Sequence, residues 1–243
     1  MHHSTKILAP FKSSFLQAKN AFSGGFLVLL TSLGFAQCFA QESSNNLMVY
    51  SVLGTGGLGL GMGKEMSNGF VLRAEVTNLS KSLQTTQDGI NYSGSFNLTT
   101  TAVYADYHPW KSAFHLSSGI NIKPTNLSLA GVPTGGNLKI NNTTYPVNPG
   151  QGINANITFP ATMPYLGLGW GFGDLSKKSG FLFSSDMGFD FGKLDGSISA
   201  TPGLFPGNAG FQSNLNTQSQ KLSASVSAMR FFPIIKFQVG YAY

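Results

Sequence analysis

From residue 58 onward, apolar residues alternate with small or polar ones at a period of two in seven separate segments. That period is the mark of strands with one apolar face. Leu58, Leu60 and Met62 alternate with glycine. Phe70, Leu72, Ala74 and Val76 alternate with Val71, Arg73, Glu75 and Thr77. Phe96, Leu98, Ala102 and Tyr104 share one face, with Asn97, Thr99 and Thr101 on the other. Phe114, Leu116, Ile120 and Ile122 stand against His115, Ser117, Gly119 and Asn121. Leu166, Leu168 and Trp170 alternate with glycine again. Phe181, Phe183, Met187, Phe189 and Phe191 face away from Ser184, Asp186, Gly188 and Asp190. Ile235, Phe237, Val239, Tyr241 and Tyr243 alternate with Lys236, Gln238, Gly240 and Ala242.

The second face of each strand decides the fold class. A soluble β-sandwich turns its polar face to water, and that face usually carries Lys and Glu. Here it holds Gly, Ser, Thr and Asn with few charges. Small side chains of this kind fill the inside of a narrow barrel. The apolar faces then meet lipid, with aromatic residues at the strand ends. The expected fold is therefore all-β: a single up-and-down antiparallel transmembrane barrel.

Turns are expected at Ser67-Asn68-Gly69, at His108-Pro109-Trp110-Lys111 and over 174–180, because Gly and Pro interrupt a ladder there. Longer polar loops are expected at 81–93, 125–157 and 201–215, the second with its own hairpin around Asn141-Asn142. The stretch 211–230 fits two periods. Phe211, Leu215, Leu222, Val226 and Met229 make a helical stripe, giving a helix around 211–228, whereas Leu222, Ala224, Val226 and Ala228 alternate with serines as a strand does.

Composition sharpens this picture. Only 10% of residues are charged, against roughly 25% in soluble domains. The first forty residues read as a signal peptide (1–40), leaving 41–243 as one barrel domain. Lys6, Lys12 and Lys19 precede the apolar run Phe26 to Phe35, and Cys38-Phe39-Ala40 presents a cleavage site. Cys38 is the chain's only cysteine, so cleavage after Ala40 leaves neither a disulfide nor a thiolate metal site. The formal charge of +6 falls to +3 over 41–243, where 12 Lys and Arg face 9 Asp and Glu. These charges are scattered, which excludes a nucleic-acid-binding face. With both termini expected in the periplasm the strand number is even: eight, with ten as the fallback.

The ending Phe237-Gln-Val-Gly-Tyr-Ala-Tyr243 resembles the terminal strand of outer-membrane barrels, which the barrel assembly machinery reads. Phe237, Val239, Tyr241 and Tyr243 occupy the positions of that signal. Ala105-Asp-Tyr-His-Pro109 and Pro164-Tyr-Leu-Gly-Leu-Gly-Trp-Gly171 look like segments of the opacity-protein and OmpW-like group, as does Phe232-Pro233. This resemblance covers about 47–243. It implies a Gram-negative outer-membrane protein in contact with outer-membrane lipid, but carries no ligand-binding residue and names no extracellular partner.

Candidate chemistry is sparse. Arg73, Glu75, His115, Asp186, Asp190 and Lys236 fall on inward faces, and buried charges of this kind should be paired. They are expected to form a structural network that fills the lumen. His115-x-Ser117 resembles the strand pair of lipid A deacylases. However, Ser118 follows where that family has Asn, and no acid lies between Asp106 and Asp174. Asp186 and Asp190 alone are too few for a cation site. The glycines at 54–63 lack the Lys-Ser/Thr that closes a phosphate loop. No catalytic set, metal or cofactor is assigned. The reading is a non-enzymatic barrel with a surface or structural role and loops exposed for interaction. A narrow conduit for small hydrophobic solutes and a membrane-embedded lipid hydrolase are the alternatives.

Overall fold

The computed structural model describes residues 47–243 apart from Asn68, Asp88 and 173–179. The expected leader, 1–40, and most of the expected turn at 174–180 lie outside the described residues. Five strands come first: β1 (Leu47–Gly54), β2 (Gly57–Ser67), β3 (Phe70–Gln87), β4 (Ile90–Tyr107) and β5 (Phe114–Ile122). The chain then leaves the wall as β6 (Asn126–Pro133), β7 (Asn137–Ile140), β8 (Thr143–Pro146) and β9 (Ile153–Thr158). It returns as β10 (Thr162–Gly171) and β11 (Gly180–Phe191), leaves again as β12 (Asp195–Ala200) and helix α1 (Ala209–Ser227), and ends in β13 (Phe231–Ala242).

Eight of these strands close an antiparallel barrel in the order β1-β2-β3-β4-β5-β10-β11-β13, with β13 pairing back onto β1. The wall is thus the eight-stranded up-and-down barrel expected. Both wall termini lie at one end, since Met48 pairs with Ala242.

Outward residues form the belt that a hydrocarbon solvent requires. Leu60, Met62, Leu72, Val103, Leu166, Leu168, Phe183 and Met187 are all exposed. Rings mark its edges. At the terminal end Phe70 meets Tyr107 at 4.9 Å and Phe181 meets Tyr241 at 5.6 Å; at the far end Phe191 meets Phe231 at 5.6 Å. On β13 the two edges are ten residues apart, Phe231 to Tyr241. At ~3.3 Å per residue and a tilt near 40°, that is about 25 Å, the height of a lipid-facing band.

Four expectations change. β1 is the eighth wall strand, and its sequence hides it: Met48, Tyr50 and Val52 are buried inside while Val49 and Leu53 face outward, so both faces are apolar. On β4 the face carrying Phe96, Leu98, Ala102 and Tyr104 turns inward, and lipid meets Val103 and Ala105 instead. The expected loop at 81–93 is strand, because β3 and β4 run 18 residues each and pair continuously from Phe70↔Tyr107 to Gln87↔Ile90. The 125–157 segment also holds β6 and β9. There the sheet of the wall continues beyond the barrel in the order β3-β4-β6-β9-β12.

The remaining elements make a cap over the far mouth. β7 and β8 form the hairpin expected at Asn141-Asn142, with Asn141 at φ 54° in its turn. The stretch 211–230 resolves to the helix: Asn208 caps α1 by accepting from the Phe211 N–H at 2.9 Å, and Phe211, Leu215, Leu222 and Val226 are buried. These side chains share a core with Leu138, Ile140, Tyr145, Ile157 and Ile198. Tyr145, Phe205 and Phe211 pack mutually at 5.0–5.5 Å.

Candidate functional site

Among the described residues, buried charged side chains concentrate in the barrel interior. β3 points Arg73 and Glu75 inward because its outward positions are Leu72, Ala74 and Val76. By the same alternation β5 contributes His115, Ser117 and Asn121, β11 contributes Ser184, Asp186 and Asp190, and β13 contributes Lys236 and Gln238. All six interior residues expected from the sequence are buried here.

Arg73 is the hub, with none of its side chain exposed. Its Nη1 donates to Asp186 Oδ2 at 3.0 Å and to Glu75 Oε1 at 3.4 Å. Its Nη2 donates to Asp106 Oδ1 at 3.0 Å, and its Nε lies against Asp106 Oδ2. Lys236 pairs with Glu75 at 2.9 Å and with Asp186 at 3.6 Å, and sits 3.8 Å from the centre of the Tyr104 ring. The Gln238 amide donates to Asp186 Oδ2 at 2.8 Å, and the Tyr50 hydroxyl to Glu75 at 3.1 Å. A second cluster lies nearer the cap. Asn121 donates to Asp190 at 2.5 Å, the Tyr104 hydroxyl donates to Asn121 Oδ1 at 2.5 Å, and Lys123 is paired with Asp190.

Five of the six expected residues meet in the Arg73 cluster or one contact from it: Arg73, Glu75, His115, Asp186 and Lys236. Asp190 belongs to the cluster with Lys123. Sequence reasoning missed Asp106, Lys123 and Tyr50. Lys123 continues the inward register of β5, so extending that alternation by one step would have found it, whereas Asp106 shares the β4 face that the apolar pattern assigned to lipid.

Glycines let the network close. A Cβ at Gly169 would overlap His115 Nε2 and Asp186 Oδ1, which bond to each other at 2.9 Å. A Cβ at Gly61 would overlap the Tyr50 ring. Below the charges, Met48, Tyr50, Val52, Val71, Phe172 and Leu182 form an apolar layer at the terminal end. Polar and apolar layers together fill the section, as an eight-stranded wall allows.

The His115 and Ser117 pair now has its carboxylates, supplied from other strands. They are divided between the two residues. His115 bonds Asp186, while the Ser117 hydroxyl donates to Asp106 at 2.5 Å and receives Arg73 Nη2 at 3.4 Å. A nucleophilic serine needs its proton taken by the imidazole; this one gives it to a carboxylate held by Arg73. At the rim beyond β4, His108 donates from Nδ1 to the Ser112 carbonyl at 3.0 Å, and burial lowers its imidazole below the ordinary value. Among the described residues, no group of three His, Cys, Asp or Glu is placed to hold a metal.

No protein-family model matches the sequence, and no curated protein matches it. Solved structures do. CarO2 of Acinetobacter baumannii aligns over 82% of this chain and 98% of its own, at 16% identity and a TM-score of 0.56. CarO of the same organism aligns over the same shares, at 14% identity and a TM-score of 0.51. A major outer membrane protein of Thermus thermophilus aligns over the same shares again, at 12% identity and a TM-score of 0.41. The likeness to the two Acinetobacter proteins is one of fold: the chain is a closed eight-stranded β-barrel of their architecture.

Proposed function

We propose that this chain is an integral outer-membrane barrel with a sealed lumen, serving as a membrane-anchored pedestal for its folded outer cap. The observation that carries this reading is the Arg73 cluster, which ties β3, β4, β5, β11 and β13 together across the lumen. A solute pathway needs side chains free to hand a ligand along. Here the charged groups are paired with one another, and an apolar layer lies beneath them. The aromatic rims and the belt of about 25 Å support a membrane site. The motifs at 105–109 and 164–171 support placement among the opacity-protein and OmpW-like barrels. We assign the cap to the outer surface and the paired termini to the periplasm. The assembly machinery would read Phe237, Val239, Tyr241 and Tyr243 on β13. The division of His115 and Ser117 between two carboxylates supports a non-enzymatic role.

The test combines fractionation with conductance. The protein is expected in the outer-membrane fraction, with a gel mobility that changes on boiling. In planar bilayers the purified barrel is expected to give no large, stable conductance. A steady open-channel current would overturn the sealed pedestal, and failure to fractionate with the outer membrane would overturn the location.

A further inference from the structure

The outer face of β3 and β4 changes chemistry partway along each strand. Within the belt it is Leu72, Ala74 and Val76, beside Thr101, Val103 and Ala105. Beyond it, every outward position from Asn78 to Thr86 and from Asn91 to Thr99 is Ser, Thr, Asn or Gln. This wall extends about 26 Å along β3, the eight residue steps from Asn78 to Thr86 at ~3.3 Å each. β6 continues it with Asn126, Ser128, Ala130 and Val132, β9 follows with Asn154, Asn156 and Thr158, and β12 closes it with Asp195, whose carboxylate accepts from Ser223 at 3.0 Å. Ordinary surfaces are about 25–35% charged, so ten positions on β3 and β4 should carry two or three charges. Among the described residues they carry none.

The hydrogen bonds on this face engage three Asn carbonyls. Asn78 gives its carboxamide hydrogens to Asn97 Oδ1 at 2.9 Å and Thr99 Oγ1 at 2.8 Å. Thr86 gives to Asn91 Oδ1 at 2.7 Å, and Ser128 gives to Asn156 Oδ1 at 2.6 Å. At Asn97, Asn91 and Asn156 the carbonyl is the engaged atom, so the NH2 is the part directed to a partner, whereas Asn78 spends its NH2 within the sheet. A carboxamide carries two donors. The wall therefore presents uncharged carboxamide donors at Asn97, Asn91 and Asn156, on strands continuous with the lipid-facing surface.

We infer that this wall seats the neutral oligosaccharide of the outer-leaflet glycolipid, whose acyl chains lie against the belt below it. Continuity fixes the occupant: a molecule touching Val76 and Val103 with its chains places its headgroup sugars at Asn97 and Asn91. Sugar hydroxyl and ring oxygens accept from carboxamide donors. This inference rests on the outer-membrane reading above.

The test uses the protein in nanodiscs whose glycolipid carries either the complete core oligosaccharide or lipid A alone. Hydrogen exchange of the Asn91, Asn97 and Asn156 carboxamides is read by NMR. It is expected to slow about tenfold in the core-bearing discs, the effect of one hydrogen bond worth ~1.4 kcal/mol. Lumen signals such as Asn121 should not change between the discs. In the Asn91→Asp, Asn97→Asp variant, which keeps the acceptors and removes four donors, Asn156 should lose most of its protection. Equal exchange in the two discs overturns the inference while leaving the barrel in place. Protection that follows protein copies per disc, whatever the glycolipid, assigns the wall to a second copy and also overturns it. Failure to insert into either disc overturns the membrane reading itself.

Discussion

The barrel and the cap obey opposite rules of burial, and a single strand passes from one to the other. In the lower half of β4 the inward residues are Asp106, Tyr104 and Ala102, with Val103 and Ala105 outward. In its upper half the inward residues are Leu98, Phe96 and Tyr92, with Asn97, Ser95 and Ser93 outward. The inner surface runs from charged to apolar as the outer surface runs from apolar to polar. Nothing in the backbone marks the change, since the β3–β4 register is unbroken from Phe70 to Gln87. Solvent decides it. Where lipid surrounds the wall, apolar side chains cost nothing outside and the interior holds charged groups that pair with one another. Where water or sugar surrounds it, the hydrophobic effect pulls the apolar residues in.

The comparison breaks most visibly at Arg73. Replacing it with Ala leaves Asp106 without its cation and leaves Glu75 and Asp186 to Lys236. Removing one partner of a buried charge pair costs roughly 3–5 kcal/mol. Arg73→Ala should therefore lower the urea midpoint and the temperature of the boiled-form gel shift more than any single change in the cap. Neutralising its partners in Arg73→Met, Asp106→Asn, Asp186→Asn should recover much of the loss. A cost under about 1 kcal/mol would mean that the carboxylates are not held by Arg73 in the way these distances require.

The boundary itself can be located by moving one charge along the outer face of β4. Val103→Lys places a cation near mid-belt, four residues from the Tyr107 ring. Such a substitution costs about 2–4 kcal/mol at the midplane and about 0–1 kcal/mol near an interface. Asn97→Lys, on the same face and six residues higher, should cost at most the smaller amount. Unfolding from bilayers reads both. Equal costs at the two positions would place the belt elsewhere on the wall.

The same inversion explains what was legible in the sequence. Strands wholly inside the belt that keep one polar face read correctly. β5, β11 and β13 each oppose an apolar file to a polar one, which put His115, Asp186, Asp190 and Lys236 on the inside. β4 misled because Phe96, Leu98, Ala102 and Tyr104 form an apolar file, interrupted by Thr100, that serves two solvents, and periodicity cannot say which solvent lies outside. β1 escaped notice because Met48, Tyr50 and Val52 pack an apolar layer inside while lipid takes the other face. The polar run 81–93 suggested a loop because Ser, Thr, Asn and Gln are loop-like by composition, yet cross-strand pairing holds them in a sheet. In the lumen, individual inward positions were readable. The convergence of five strands on Arg73 was not, because it depends on barrel closure rather than on any local pattern.

The smallest predicted effect tests whether cap and barrel are one cooperative unit. Asn208 accepts from the Phe211 N–H at 2.9 Å, and Phe211 is fully buried in the cap core. Asn208→Ala removes that acceptor at the start of α1, a change that typically costs about 1 kcal/mol. Helix α1 packs on β12, where Ser219 accepts from the Ile198 N–H at 3.1 Å, and its buried side chains belong to the cap core. The loss should therefore appear as local opening of the cap. Trypsin cleavage after Lys221 or Arg230 should quicken about fivefold, the equivalent of ~1 kcal/mol in the open population. The boiled-form gel shift should stay where it is. A barrel transition that moves together with the cleavage rate would show that the two cores, built on opposite rules, nevertheless unfold as one.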